Sequence, residues 1–188
     1  MAYTVSMPAA YTHFSIAKAV LQRLPKDLQN AVSSPEMYFF GAQGADFCFF
    51  YRAFRPSEIN FGRFLHNRGS YGFFHTLLPC AGRDKGLFSY ALGYITHYAA
   101  DCVFHPYVYH LSGKSPVKHS RAEGALDFYF RRKDAGKEDL KRFGKYFNCT
   151  VSEKEVSSLY TLYALAAARA DRDPLIKLSF VKGIRNYR

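Results

Sequence analysis

The feature that most constrains the fold is an almost uncharged run over residues 86–104, in which Asp101 is the one Asp, Glu, Lys or Arg. The run is nearly long enough to cross a bilayer, but His97 and Asp101 inside it are costly in lipid. A buried helix of a globular protein explains the run better. We therefore predict a buried helix over residues 87–104, with Pro106 limiting its end.

Helical periodicity continues along the rest of the chain, and no run alternates convincingly as a strand does. Helices are expected over residues 12–24, 26–32, 61–65, 72–78, 117–133, 139–146, 152–169 and 175–184. Thr12 is expected to cap the first of these, and Ser152 with Glu155 forms a capping box. Residues 41–46 have the composition of a turn that presents Asp46. No repeat or linker divides the 188 residues, so we expect an all-α multi-helix bundle that forms a single domain over residues 1–188.

Composition excludes an intrinsically disordered chain, because 48% of the residues are hydrophobic and 18% are aromatic. The net charge of +11 favours an anionic partner: nucleic acid, lipid head groups or phosphorylated small molecules. A basic, solvated surface explains the same charge equally well.

The cysteines indicate a reducing environment. Cys48, Cys80, Cys102 and Cys149 form no CxxC pair and lie among apolar or aromatic neighbours. They are expected to be buried free thiols. The N-terminus lacks a secretory signal pattern, so we expect a cytoplasmic protein without a transmembrane segment.

Two histidine–carboxylate pairs share a spacing of four residues: His97 with Asp101, and His119 with Glu123. On a helix this spacing puts both side chains on one face, with Cβ atoms roughly 5–6 Å apart, so that both reach one cation. His105 lies four residues beyond Asp101 and is expected where the helix breaks before a proline, beside a second cation. A single such pair is more simply a hydrogen-bonded pair. Two pairs with His105 between them favour a metal site, and a donor set without thiolates suits catalytic rather than structural zinc.

The segment around the first pair resembles a known family. It reads Gly93-Tyr94-Ile95-Thr96-His97-Tyr98-Ala99-Ala100-Asp101, followed by His105-Pro106. The zinc-dependent phospholipase C family has a similar Gly-Tyr-x-x-His-Tyr-x-x-Asp segment and then His-Pro. Tyr11-Thr12-His13, the turn that ends at Asp46, and the pair His119 and Glu123 resemble further motifs of that family, so the resemblance is strongest over residues 11–127. The family implies an all-helical fold with a tri-zinc cluster between the helices.

Carried over by position, the resemblance implies two or three zinc ions. One would be held by Asp46, His66, His97 and Asp101, a second by His105, His119 and Glu123, and a third by His13 and Asp101. His75 competes with His66, because the stretch before His97 aligns poorly with the family, and His110 matches no family role. Secreted members complete the third site with an N-terminal Trp. This chain has no Trp, so either Ala2 supplies the amine after removal of Met1, or the third site is weak or empty.

The resemblance implies a metal-dependent hydrolase that cleaves a phosphate ester, phospholipid or a related phosphodiester, with a zinc-activated water. Asp46 is the candidate general base, since a carboxylate on a turn can keep one oxygen free. One alternative is a nuclease-like phosphodiesterase that acts on single-stranded nucleic acid, as a related group with this fold does. Another alternative is a non-enzymatic helical module with a structural or vestigial metal site.

Overall fold

The computed structural model describes residues 10–50, 61–135, 143, 151–172 and 175–187. Within these ranges the chain forms nine α-helices and no strand, which confirms the expected all-α fold. The helices are α1 (Ala10–Leu21), α2 (Lys26–Ala31), α3 (Pro35–Gly41), α4 (Phe61–Phe64), α5 (Ser70–Ala81), α6 (Lys85–Ser112), α7 (Pro116–Lys133), α8 (Glu153–Arg169) and α9 (Lys177–Tyr187). A 3-10 helix covers Asp46–Phe50, and a π-helical turn, Leu65–Gly69, joins α4 to α5.

The central element is α6, which packs against α1, α2, α3, α5, α7 and α8. Asp84 caps it by accepting a hydrogen bond of 3.0 Å from the backbone N–H of Leu87. The prediction that Pro106 limits the helix was wrong, because α6 continues to Ser112 with the proline inside it. A proline inside a helix costs about 3 kcal/mol. The turns beyond it keep Val108 and Ser112 buried, and that packing offsets the cost.

Two glycines let α3 approach α6 closely. A Cβ atom on Gly41 would overlap the carbonyl oxygen of Tyr90, and a Cβ atom on Gly93 would overlap the carbonyl oxygen of Tyr38. The backbones of the two helices therefore touch at this crossing. Since α3 leads directly into the turn at residues 42–45, the crossing holds the turn and Asp46 beside the middle of α6.

The core is aromatic and anchors the residue after Asp46. Phe47 is fully buried and packs edge-on against Tyr163 and Phe180, with ring centroids 5.2 and 5.3 Å apart. The hydroxyls of Tyr163 and Tyr90 lie 2.6 Å apart, and the Tyr90 hydroxyl donates a hydrogen bond of 3.2 Å to the carbonyl of Gly44. The turn is thus fixed from both sides by buried groups.

Several helix ends differ from the sequence predictions. Thr12 is not the cap of α1 but lies inside it, where its hydroxyl donates to Asp127 over 2.7 Å. The short helices expected at 61–65 and 72–78 are parts of one longer run, since a π-helical turn joins α4 to α5. The capping box of Ser152 and Glu155 is confirmed at the start of α8. The helix expected over residues 139–146 lies outside the described residues.

The thiols are less uniformly buried than expected. Among the described residues, Cys48, Cys80 and Cys102 are free, but only Cys48 is fully buried. The expectation of burial was wrong for Cys102, which is exposed because α6 turns that face outward. Cys149 lies outside the described residues. In the described part of the chain, the helices are too short or too polar to cross a bilayer.

Candidate metal centre

Five elements each place a candidate side chain at the middle of the bundle. His13 comes from α1, Asp46 from the start of the 3-10 helix and His66 from the π-helical turn; His97, Asp101 and His105 come from α6, and His119 and Glu123 from α7. His97, Asp101 and His105 occupy one face of α6, because they are spaced by four residues. His105 therefore lies within α6. The prediction that it lies at a helix break was wrong.

Two aspartates connect three histidines at the centre of this site. Asp46 Oδ1 lies 3.0 Å from His66 Nε2 and 4.0 Å from His97 Nε2. Asp101 Oδ2 lies 3.2 Å from His97 Nε2, and Asp101 Oδ1 lies 3.4 Å from His13 Nε2. His97 is thus the side chain at which the two aspartates meet.

A third carboxylate extends the network toward α7. His105 Nδ1 lies 3.8 Å from Asp101 Oδ2, and His105 Nε2 lies 3.3 Å from Glu123 Oε1. His119 Nε2 lies 3.1 Å from the same oxygen of Glu123. All eight candidate residues therefore belong to one continuous chain of close contacts.

Three groups of side chains bring their ligand atoms within 4.8 Å of one another, close enough to share an ion. The groups are His13, Asp46 and His97; His66, His97 and Asp101; and His105, His119 and Glu123. The last group has the composition that the resemblance implies for the second zinc. The other two groups share His97 and together draw on the residues implied for the first and third zinc.

Buried ring nitrogens indicate that the site suits a cation. Within the described residues, both ring nitrogens of His97 and Nδ1 of His13 are buried and form no well-directed hydrogen bond, although His97 Nε2 lies 3.2 Å from Asp101 Oδ2. A buried polar atom left without a partner costs about 1–3 kcal/mol. A divalent ion at His97 Nε2, the nitrogen that faces both aspartates, removes that cost there, and imidazole with carboxylate is a donor set that zinc accepts.

The π-helical turn orients His66 rather than His75 toward the centre. His66 Nδ1 lies 2.7 Å from the carbonyl oxygen of Gly62, which holds the ring with Nε2 facing Asp46. This is the supporting contact that metal-binding histidines commonly make. His75 is exposed on α5, where its ring contacts Tyr71 with centroids 4.5 Å apart. Of the two histidines that the sequence left open, His66 is the one within reach of Asp46.

Burial and neighbouring charges set the protonation of the two aspartates. Burial alone would raise the pKa of Asp101, but the charges of His97, His13 and His105 hold that pKa well below its usual range. Burial opposes ionisation of Asp46 as well, yet the contacts of His66 and His97 lower its pKa. Both carboxylates are therefore ionised at neutral pH and available to a cation.

The pKa values of His13 and His66 are shifted in opposite directions. Burial, with the nearby charge of His97, lowers the pKa of His13 to about 4, so the His13 ring is neutral at neutral pH. Burial also disfavours the charged form of His66, but its bond to Asp46 outweighs this and raises the pKa of His66 to about 9. In the protein without metal, His66 therefore holds its proton at neutral pH, and an ion bound at its Nε2 would displace that proton.

Asp127 supports the site and was missed by the sequence reasoning. Its side chain accepts hydrogen bonds from the backbone N–H groups of Tyr11 and Thr12, at 3.3 and 2.9 Å, and from the hydroxyl of Thr12. These bonds tie the first turn of α1 to α7 and fix His13, the next residue. One signal pointed to Asp127: it follows Glu123 by four residues and so lies on the same face of α7.

Gly44 is the second supporting residue that the sequence reasoning missed. Its φ angle is +60°, and the ring of His97 occupies the space where a Cβ atom would lie. A side chain at this position would be strained and would displace the His97 ring. The composition of the turn suggested a glycine-rich loop, but the contact with His97 depends on the tertiary fold.

The site opens into a cleft of about 400 Å³. Four candidate ligands, His66, His97, Asp101 and His105, line the cleft together with Leu65, Ser70, Tyr94, Tyr98, Cys102, Pro106 and Tyr109. Polar groups that converge in an aromatic cleft are typical of a site for a small molecule or for part of a larger substrate.

Comparison with known proteins gives one match. A family model described as zinc dependent phospholipase C matches residues 12–171 of the 188, which includes all eight candidate residues. No curated protein and no solved structure matches the chain.

Proposed function

The chain belongs to the zinc-dependent phospholipase C family, and from this premise we propose that it hydrolyses the phosphodiester bond of a phospholipid or a related phosphate ester. One observation carries the proposal. Five histidines and three carboxylates from distant parts of the chain form one network of contacts, and four of them line a cleft. A network of this composition has more ligands than one ion needs.

We assign two or three zinc ions to this network. Asp46, His66, His97 and Asp101 would hold one ion, His105, His119 and Glu123 a second, and His13 with Asp101 a third. The group His105, His119 and Glu123 matches the second assignment, and the group His66, His97 and Asp101, with Asp46 3.0 Å from His66, supports the first. The third rests on the 3.4 Å between His13 and Asp101, although His13 also groups with Asp46 and His97. Ala2, the candidate amine for the third ion, lies outside the described residues.

Zinc, when bound, lowers the pKa of a bound water toward about 7 and offsets the charge of the phosphate ester. The chain's own groups supply proton transfer and orientation. Asp46 is the residue that we assign as general base: its Oδ1 faces His66 and His97, and its Oδ2 would take the proton of the attacking water. Hydrolysis then joins the water oxygen to phosphorus, breaks the P–O bond to the leaving alcohol, and returns to that alcohol the proton that Asp46 took from the water.

A second function has one observation in its favour. Tyr98 and Tyr109 are exposed and line the cleft, and exposed aromatic rings stack on bases of single-stranded nucleic acid. The net charge of +11 would attract such a strand. A nuclease-like protein would bind single-stranded nucleic acid, and this binding would weaken strongly as salt is added. A phospholipase needs no such binding for its activity.

We also propose that the protein works in a reducing compartment such as the cytoplasm. The free thiols of Cys48, Cys80 and Cys102 support this proposal, because oxidising compartments favour disulfides. Cell fractionation followed by immunoblotting tests it, and recovery of the protein outside the cytoplasm contradicts it.

The central test is zinc quantification on protein purified without chelators, followed by assays on phospholipids, a soluble phosphodiester and single-stranded nucleic acid. We expect two or three zinc ions per chain and phosphodiester turnover that chelation removes. One tightly held ion whose removal unfolds the protein would indicate a structural site instead. Protein that holds no metal would contradict the proposal.

Variants locate the activity within the same test. His97→Ala and Glu123→Ala are each expected to lower kcat by more than about 100-fold, because even residues that only support metal ligands cost 10–100-fold. His110→Ala is the matched control: His110 lies on α6, five residues beyond His105, is exposed, and belongs to none of the metal groups found among the described residues. Loss of activity in His110→Ala with full activity in His97→Ala would show that the ligand assignment is wrong.

A further inference from the structure

The end of the α6–α7 hairpin, residues 102–122 and here called the hairpin tip, exposes apolar side chains. Val103, Tyr107, Tyr109, Leu111 and Val117 are each more than half exposed. They come from the last three turns of α6 and the first turn of α7. Val103, Tyr107 and Leu111 are spaced by four residues and so share one exposed face of α6. Exposed apolar groups are common singly, but a contiguous apolar face of this kind marks an interaction surface.

The charged side chains of the hairpin tip, apart from its histidines, are all positive. Residues 102–122 include Lys114, Lys118 and Arg121 and contain no Asp or Glu. All three cations are exposed. An apolar surface bordered by cations complements an anionic lipid bilayer, which attracts Lys and Arg and takes up apolar side chains at the boundary of its head groups.

The same charges disfavour a second copy of the chain as the occupant of this surface. Self-association through the hairpin tip would bring two sets of these cations together, on chains that each carry +11. Tyrosines favour the lipid surface for a further reason. Tyr107 and Tyr109 have an apolar ring and a polar hydroxyl, and such side chains concentrate where hydrocarbon meets water.

The hairpin tip is continuous with the cleft of the candidate metal centre. Cys102, Pro106 and Tyr109 belong to the tip and also line the cleft. Val103 and Tyr107 lie on the same helix, farther round its exposed side, and do not line the cleft. A surface that held the tip would therefore lie beside the face of α6 that borders the cleft.

We propose that the hairpin tip docks the protein on anionic phospholipid bilayers and presents the cleft to their head groups. The apolar side chains enter the boundary between head groups and acyl chains, and Lys114 and Lys118 bind the anionic head groups. The purpose of this docking rests on the proposed phospholipid hydrolysis, but the docking itself depends only on the exposed side chains and their charges.

The test is co-sedimentation of the zinc-loaded protein with vesicles of phosphatidylcholine mixed with phosphatidylglycerol, and with vesicles of phosphatidylcholine alone. We expect wild type to bind the anionic vesicles at least tenfold more tightly. Val103→Gln with Tyr107→Gln removes two apolar groups, keeps a good helix former at both positions, and is expected to weaken vesicle binding at least tenfold. Lys114→Gln and Lys118→Gln are each expected to weaken it about fivefold.

Leu78→Gln with Leu178→Gln is the control, because both leucines are more than half exposed, on α5 and α9. This control variant should bind anionic vesicles as wild type does. The proposal is overturned by wild type that fails to bind anionic vesicles, by tip variants that bind unchanged, or by equal loss in the control. A dimer that the tip variants dissolve, without vesicle binding, overturns it in favour of a second copy.

Hydrolysis of a soluble phosphodiester separates this proposal from the proposed function. The tip and control variants leave all eight candidate residues unchanged, so each should hydrolyse the soluble substrate and hold zinc as wild type does. Vesicle binding without any hydrolysis would overturn the proposed function and leave the docking surface standing. Hydrolysis of the soluble substrate without vesicle binding would overturn the docking surface and leave the proposed function standing.

Discussion

At the residue scale, His97 shows which parts of the candidate site a sequence can reveal. Its pairing with Asp101 follows from a spacing of four residues on a helix, and that relation is local. Its approach to Asp46 follows only from the resemblance to a family, because no spacing relates the two positions. The contact of its ring with Gly44 was beyond prediction, since it depends on how closely α3 crosses α6.

The raised pKa of His66 leads to a prediction about protons. The folded pKa of about 9 lies above the ordinary value of 6.5, so without metal this group stabilises the fold below pH 6.5 and loses that contribution as pH rises through about 9. Zinc requires a neutral imidazole, so binding of zinc near neutral pH should release the proton of His66. His66→Gln should release about one proton fewer per chain, measured by calorimetry in buffers of different ionisation enthalpy.

His75→Gln serves as the control for this measurement, since His75 is exposed and lies apart from Asp46. It should release as many protons as wild type. Equal proton release in His66→Gln and wild type would mean that His66 does not bind the ion.

At the scale of elements, the sequence predicts where helices lie better than how they end or join. The apolar run predicts the buried part of α6. The rule that proline stops a helix led to the wrong prediction for the turns of α6 around and beyond Pro106, which include His105 and part of the hairpin tip. The packing of the buried Val108 offsets the cost of a proline inside the helix. The π-helical turn between α4 and α5 has no sequence signal of this kind, because one wider turn depends on its tertiary contacts.

The tie between α1 and α7 can be tested through Asp127. Asp127→Asn replaces a carboxylate that accepts three hydrogen bonds from α1 with an amide that has a single acceptor oxygen. We expect the free energy of unfolding to fall by about 1–3 kcal/mol, because at least one buried N–H group of α1 then faces the amide NH2, which is a donor, and loses its partner. Urea denaturation of the metal-free protein measures the loss, and zinc titration should show weaker binding of the ion that we assign to His13.

Asp27→Asn is the comparison for this variant, since Asp27 is an exposed aspartate on α2. Its effect should stay within about 0.5 kcal/mol. If Asp127→Asn is no more destabilising than Asp27→Asn, the bonds to α1 do not hold the two helices together.

At the scale of the whole molecule, the candidate residues span positions 13 to 123, so metal binding would join parts of the fold that are far apart in sequence. The prediction of one domain over residues 1–188 stays a prediction. Composition and periodicity were sufficient for an all-α fold, because apolar stripes recur along the chain. They could not give the arrangement of helices around α6, which depends on contacts between remote residues.

Metal removal tests whether bound metal stabilises the fold by connecting these distant parts of the chain. An ion that binds the folded chain alone stabilises it by about 2.7 kcal/mol at a free concentration 100-fold above its Kd. For a chain of this size, that corresponds to a change in Tm of roughly 5–11 °C. We expect chelation to lower the Tm of wild type by this amount and that of His119→Ala by less, measured by scanning calorimetry. An identical Tm with and without chelator would contradict the joining role of the metal.

A single helix, α6, contributes His97, Asp101 and His105, one from each of three successive turns. Inserting or deleting one residue between them would rotate everything beyond that point by about 100° around the helix axis and carry His105 away from Glu123. Amino-acid replacements at the intervening positions leave the register intact. The length of this stretch is therefore under a stricter constraint than its composition, and alignments of related chains can be anchored here without gaps.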